Sequence, residues 1–331
     1  MRLEDIGRNL AWKRGSPGAV ARLDRMILVT GATGNVGRPL VHQLVEAGLP
    51  VRALTRRDPA TAGLPRAAEV VRGDLETIGD CLDGVESAFL VWPFHTADAA
   101  PAVVKAIGRH ARRIVLLSSG AVRDQPDSFV GRSHQEVEQC VEQAGPAWTI
   151  LRPSTFAANV LWWAGQIRAG NVVRGAYGAV PMAMLHERDI AAVAARALTA
   201  PDPAGTAPDR AGASPGRAGA SPGRAVASPG YDGARLVLTG PQVLTQAEQV
   251  RIIGEALGRP LRWQELTRAE ERRRLLADGS FPDSFADALL DGYARMFDGP
   301  PPALTTTVEE VTGRPARTFA QWARDHAADF A

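Results

Sequence analysis

From Met26 to Pro153, short runs of β-branched and apolar residues alternate with stretches whose apolar positions recur every third or fourth residue. MILVTG, PVRALTR, EVVRGD, SAFLVWP, RIVLLSS and WTILRP read as strands, and GRPLVHQLVEAG and AAPAVVKAIGRHA read as amphipathic helices between them. Strand and helix in alternation imply parallel strands joined by right-handed crossovers, hence an α/β fold with a doubly wound parallel sheet. In such a sheet a ligand sits at the carboxyl ends of the strands. Further along, LTQAEQVRIIGEALG reads as a helix with Thr245 as N-cap and Gly258 as stop, and Asp189 reads as the N-cap of the helix IAAVAARAL. Helices around TRAEERRRLLADG, DSFADALLDGYARMF and RTFAQWARDHAADF follow, with ARLVLTG and LRWQELT as further strands. The organisation expected is an extension over residues 1–25, a core over 26–157, and a smaller, mainly helical lobe over 158–331 interleaved with that core.

Composition narrows the partner. A chain of 331 residues with 45% hydrophobic content can bury a large core. Its net charge of +2 comes from interspersed acids and bases, which points to a small-molecule substrate and away from nucleic acid or a membrane surface. Cys81 and Cys140 cannot make a disulfide framework, and neither lies at metal-ligand spacing, so no metal is expected and a cytoplasmic location is. The first 25 residues lack the apolar run of a signal peptide, which suggests a loosely attached tail with Met26 as a candidate true start. Nothing in the composition speaks to oligomeric state.

Between about 201 and 230 the sequence turns to Ala, Gly, Pro, Ser and Arg, with GRAGASP repeating. Its GASPG matches the GxSxG pattern of a nucleophile elbow, but Ser214 and Ser221 each precede proline, which has no amide for an oxyanion hole. The segment reads as a surface insertion.

The chemistry concentrates in GATGNVG, which follows an apolar strand directly and opens a helix. Gly31 permits a tight turn, Gly34 lets backbone approach a pyrophosphate, Gly37 allows close packing, and Thr33, Asn35 and Val36 complete the loop at the helix N-terminus. A dinucleotide is the expected cofactor. About 20 residues on, where an NAD site wants an acid, the second strand ends in Thr55, Arg56 and Arg57, donors suited to a 2′-phosphate. NADP is therefore expected over NAD, the other reading of the arginines being solvated surface. At the third strand's end Asp74, with Leu75, is placed to meet the adenine, or equally to cap a helix. Ser118 and Ser119 end the fifth strand beside the expected cofactor site.

Taken together, TGATGNVG, VRALTR, GDL, LLSSGA, WTILRPSTFAANV, HERDIAAVAARAL and LVLTGPQVLT resemble the NmrA-like branch of the atypical short-chain dehydrogenase/reductases. The resemblance implies an NAD(P)-binding Rossmann domain with a C-terminal lobe closing over the nicotinamide. It also implies one of three roles: a quinone, azo or enone reductase, a redox sensor without turnover, or a redox-neutral epimerase or cyclase. The superfamily's proton donor is a tyrosine with a lysine four residues later. Here the tyrosines are Tyr177, Tyr231 and Tyr293 and the last lysine is Lys105, so no such dyad exists. Alignment on HQEVE puts His134 at the lysine position and Val130 at the tyrosine position, and the carbonyl-polarising serine falls near Ser119 or Gly120. His134 is the candidate catalytic residue, with a structural role as its alternative. Arg152, Pro153, Ser154, Thr155 and Phe156 are expected near the nicotinamide, and His186 is a second histidine that could face the site. The reading favoured is an NADPH-dependent reductase whose acceptor takes its proton from water or His134.

Overall fold

Six strands follow one another as the alternation predicts: β1 (Met26–Val29), β2 (Val51–Thr55), β3 (Glu69–Arg72), β4 (Val85–Val91), β5 (Arg113–Leu117) and β6 (Ala147–Pro153). This computed structural model describes residues 26–94, 96–201, 230–278 and 283–331. The extension over 1–25, and the insertion with Ser214 and Ser221, lie outside the described residues. After β6 come β7 (Val172–Gly175), β8 (Pro181–Ala183), β9 (Ala234–Leu238), β10 (Val243–Thr245) and β11 (Arg262–Glu265). A seven-stranded sheet runs in the order β3-β2-β1-β4-β5-β6-β9, every pairing parallel. The order reverses between β1 and β4, which opens the crevice where this topology binds its ligand.

Side chains of the sheet alternate between two helical layers. Val115 and Leu117 of β5 join Leu40, Val41 and Leu44 of α1 (Gly37–Glu46) in one apolar core. Ile114 and Leu116 face the other core, with Val103, Val104 and Ile107 of α2 (Ala100–Gly108). Beyond β5 lie α3 (Ala121–Asp124) and α4 (Phe129–Glu142), then α5 (Ala164–Ala169) and α6 (Glu187–Thr199). Alanines on α6 keep its profile low, so it packs against α1 and completes the first layer. The C-terminal lobe holds α7 (Gln246–Ala256), α8 (Arg268–Asp278), α9 (Asp283–Asp298), α10 (Thr307–Thr312) and α11 (Phe319–Asp325). Its own core gathers Trp163, Met182, Ile253, Phe319, Trp322 and Phe330. The parallel ribbon β11-β7 and the antiparallel ribbon β10-β8 stand outside the main sheet.

Thr245 caps α7 as its sequence indicates, in a reciprocal box: Thr245 Oγ1 accepts from the Glu248 amide, and Glu248 Oε2 accepts from the Thr245 amide. A cap of this kind contributes about 1 kcal/mol. Asp189 does not cap α6. The helix begins at Glu187 with His186 as N-cap, its Nδ1 accepting the Arg188 amide, because Asp189 is drawn instead to the amide and guanidinium of Arg317. Trp322 is fully buried, whereas Phe297 is 52% exposed beside Tyr177.

Candidate functional site

The glycine loop sits where β1 meets α1, in the geometry its spacing requires. Gly31 has φ +59°, a conformation that costs other residues strain. A Cβ on Gly37 would lie 2.1 Å from the Gly31 carbonyl, so no side chain fits there. At Gly34 a Cβ would meet only that same carbonyl, at 3.2 Å, and its remaining surroundings are open. Thr30 braces the loop from below, its hydroxyl donating to Phe89 O and accepting from the Val91 amide. No side chain caps α1 and no acid occupies its first turn. Among the described residues the amides of Asn35, Val36 and Gly37 find no hydrogen-bond partner, and they lie at the positive end of the helix dipole. The residues present fit a pyrophosphate. Val36 is buried in the core, so its contribution is backbone only, whereas Gly34 and Asn35 are exposed.

Beside the loop, Thr33 and Thr55 hydroxyls lie 3.4 Å apart and tie it to the end of β2. Arg56 and Arg57 are both exposed. Asp58 is held locally, its Oδ1 accepting from the Ala60 amide. Asp74 Oδ1 accepts from the amides of Glu76 and Thr77 and from the Thr77 hydroxyl. Those bonds to Thr77, with the nearby charge of Arg56, hold its carboxyl below the usual range. Asp74 thus organises its own turn, which leaves Oδ2 for a ligand, and Leu75 points into the core. Arg38, on α1, donates to Gly63 O.

Past the end of β5 the two serines diverge. Ser118 Oγ donates to Glu138 Oε1 at 2.5 Å, and Arg152 clamps the same carboxylate through Nε at 3.0 Å and Nη2 at 2.5 Å. Glu138, 2% exposed on α4, was not singled out in the sequence, although its place one turn after His134 in HQEVE could have marked it. Ser119 Oγ accepts from the Ala121 amide, and among the described residues its proton has no acceptor. His134 stands half-buried on α4 with Nδ1 3.0 Å from Val130 O. Burial lowers its basicity, against the opposing pull of the Val130 carbonyl and Glu138. Ser154 Oγ donates to Ala183 O, and Phe156 bridges Leu185, so this wall of the site continues β6 into the lobe.

His186 takes no part here. It is buried, caps α6, and contacts Asp325 and Glu187 instead. A groove of about 2780 Å³ runs from Thr33, Gly34 and Asn35 along α1 and α6 to His326, but Ser118, Ser119 and His134 do not line it. The loop amides and the strand ends, which bind dinucleotides in this topology, place the site at the carboxyl edge of the sheet.

A doubly wound sheet with this loop at its switch point defines a dinucleotide-binding Rossmann protein. Residues 31–201 match the family described as NAD(P)H-binding. The chain belongs to that family and binds NAD(P). It is 38% identical, over 92% of its length and 99% of the relative's, to a (4-alkanoyl-5-oxo-2,5-dihydrofuran-3-yl)methyl phosphate reductase of Streptomyces griseus. It is 34% identical to an NAD(P)H azoreductase of Xenophilus azovorans, covering 92% and 99%. The solved structure of NmrA, a negative transcriptional regulator in complex with NAD, shares the fold at TM-score 0.63 and 13% identity, over 92% of this chain and 95% of that one. No helix among the described residues is long and apolar enough to cross a membrane.

Proposed function

We propose that the protein is an NADPH-dependent reductase that passes hydride to a conjugated, electron-poor acceptor without a tyrosine–lysine dyad. The observation that carries this reading is the end-to-end 38% identity to a reductase of an alkanoyl butenolide phosphate. By its name, that substrate has a ring C=C conjugated to both a lactone and a ketone carbonyl. An azo bond, the acceptor named for the 34% relative, and a quinone share the property that matters: charge arriving with hydride spreads over the acceptor. Such acceptors need orientation more than a strong acid.

When bound, the reduced nicotinamide supplies the hydride. The chain's own part is to hold the pyrophosphate on the Gly31–Gly37 loop, read the 2′-phosphate with Arg56 and Arg57, and offer the Ser119 proton to the acceptor oxygen. The proton that completes the product comes from water.

The test is NADPH oxidation by the purified protein across butenolides, linear enones, quinones and azo dyes. Turnover is expected, fastest with a carbonyl-flanked C=C, and Ser119→Ala should lower kcat by roughly ten- to a hundredfold with nucleotide affinity unchanged. Tight nucleotide binding with no oxidation of any acceptor would overturn the reading in favour of a cofactor-reading sensor.

A further inference from the structure

Among the described residues few large apolar side chains are left in water, and three of them belong to one edge of the sheet. Phe94 is 36% exposed, Phe129 52% and Val130 44%. The parallel strands β4 and β5 are paired to their last residues, Val91 opposite Leu117, so the chain leaves both at the same edge. From β4 it passes through Phe94 into α2, and from β5 through α3 into α4, whose first residues are Phe129 and Val130. α2 and α4 pack side by side on one core through Val103, Val104, Val137 and Val141. Each joins two parallel strands and runs back against them, so the starts of both helices lie beyond the strand ends. The dinucleotide loop borders that edge too, since a Cβ on Gly31 would meet the Val91 side chain at 3.2 Å.

Local structure fixes all three side chains where they are. Phe94 meets the ring of Trp92 edge-on at 5.0 Å, and Trp92 is buried and donates from Nε1 to Thr96 O. Ser128 caps α4, accepting from the Gly131 amide and donating to Gln125 O. A Cβ on Gly131 would lie 2.2 Å from that same carbonyl, so the turn into α4 has no slack. The first turn of a helix favours acids, yet α4 has none there and opens on two exposed apolar residues. Apolar surface held rigidly in water beside a binding site is the mark of a surface that a ligand covers.

We propose that the acceptor carries an extended alkyl chain, and that Phe94, Phe129 and Val130 form the strip on which this chain lies. The position of the reacting head rests on the reductase reading above; the strip itself does not depend on which bond is reduced. It is continuous with the site, because the segment that leaves β5 carries Ser119 first and Phe129 after it. Phe94 and Trp92 stand at 73° to each other, so they make no slot of parallel rings for a flat dye. Separate side chains on two neighbouring elements suit methylenes, which conform to them. Arg123 and Asp124, between Ser119 and Phe129, pair with each other, so their charges do not call for an ionic group on the tail.

Calorimetric titration of the NADP⁺-bound protein with saturated γ-butyrolactones bearing unbranched alkanoyl groups, from butanoyl to decanoyl, tests this apart from turnover, because NADP⁺ has no hydride to give. A methylene taken wholly out of water is worth about fourfold in affinity, and one resting on an open strip about twofold. Wild-type Kd should therefore fall about twofold per added methylene. The double variant Phe129→Ser, Val130→Ser should fold as the wild type does, both positions being exposed, and should flatten that dependence. Phe129→Leu, which keeps apolar surface, should retain most of it. Oxidation of NADPH by the matching butenolides is followed in parallel. Affinity that ignores chain length or is absent throughout, an equal dependence in the double variant, or tighter binding of a naphthoyl than of a decanoyl lactone would overturn the proposal, even with turnover observed. A dependence that the double variant loses supports the strip even where no acceptor is reduced, and the reductase reading alone would then fall.

Discussion

Arg56 and Arg57 leave β2 exposed, while the nearest acid, Asp58, is engaged by the Ala60 amide. Two guanidiniums at this place are suited to a phosphate, and the carboxylate beside them is turned to its own backbone through Oδ1. Replacing both with alanine should weaken NADP⁺ binding by about tenfold or more and leave NAD⁺ within about twofold. Equal losses for the two nucleotides in a binding titration would mean the 2′-phosphate is not read at this place. Glu138 presents a different risk. It is buried with the Arg152 guanidinium on both oxygens, so Glu138→Ala should cost about 3–5 kcal/mol in a urea melt by leaving a cation unpaired. At this scale the sequence disclosed the residues whose role is backbone geometry, such as Gly31 and Gly37. Glu138 escaped notice because its partners stand at Ser118 and Arg152, on strands whose juxtaposition is a property of the folded sheet.

Among the elements, α11 is docked on the start of α6 by a polar cluster between aromatic rings. Trp322 donates to Glu187 Oε2, and His326 lies stacked on the Trp322 ring with Nε2 2.7 Å from Glu187 Oε1 and Nδ1 2.7 Å from Asp329. His186 and Arg188 reach Asp325 from the other side. Burial alone would lower His326, but its bonds to Glu187 and Asp329 outweigh that and raise it above the ordinary value of 6.5. Burial alone would raise Glu187, but its contacts with His186 and His326 hold it far below the usual carboxylate range. The signs set a window. The His326 contribution is complete below pH 6.5 and is lost as pH rises through its elevated folded value; the Glu187 contribution is present above its ordinary 4.5 and is lost only as pH falls through its depressed one. Docking should therefore be firmest between those ordinary values and weaken first on the alkaline side. Thermal melts should show stability falling above neutral pH in the wild type, with a flatter profile in His326→Gln; parallel profiles would remove His326 from the account. None of this cluster was visible in the sequence, since Glu187 and His326 are 139 residues apart. The long periodic elements were legible. β7, β8 and β10 were not, because strands of three or four residues in two-stranded ribbons carry too few positions to display alternation.

For the whole molecule, the seventh strand of the sheet lies on the far side of the Ala/Gly/Pro-rich insertion, so closing the fold requires the chain to return across it. β9 pairs with β6 from Thr149↔Ala234 to Pro153↔Leu238, directly behind the strand that carries Arg152 and Ser154. The two flanks of the insertion are already adjacent: a Cβ on Gly230 would lie 2.9 Å from Pro201 O. Each flank is tied to the sheet by its own bonds, Ala200 O accepting from Arg113 and Tyr231 O from the Thr149 hydroxyl. A loop whose ends already meet adds only slowly growing closure entropy, since doubling its length costs about 0.6 kcal/mol. Deleting Ala211–Pro229 should therefore leave the melting temperature within a few degrees of wild type, or raise it slightly, and leave the affinity for NADP⁺ unchanged. Both can be read from one purified variant. A variant that fails to fold, or folds but loses the nucleotide, would show that the segment supports β9 or the edge of the site and does more than span two neighbouring points.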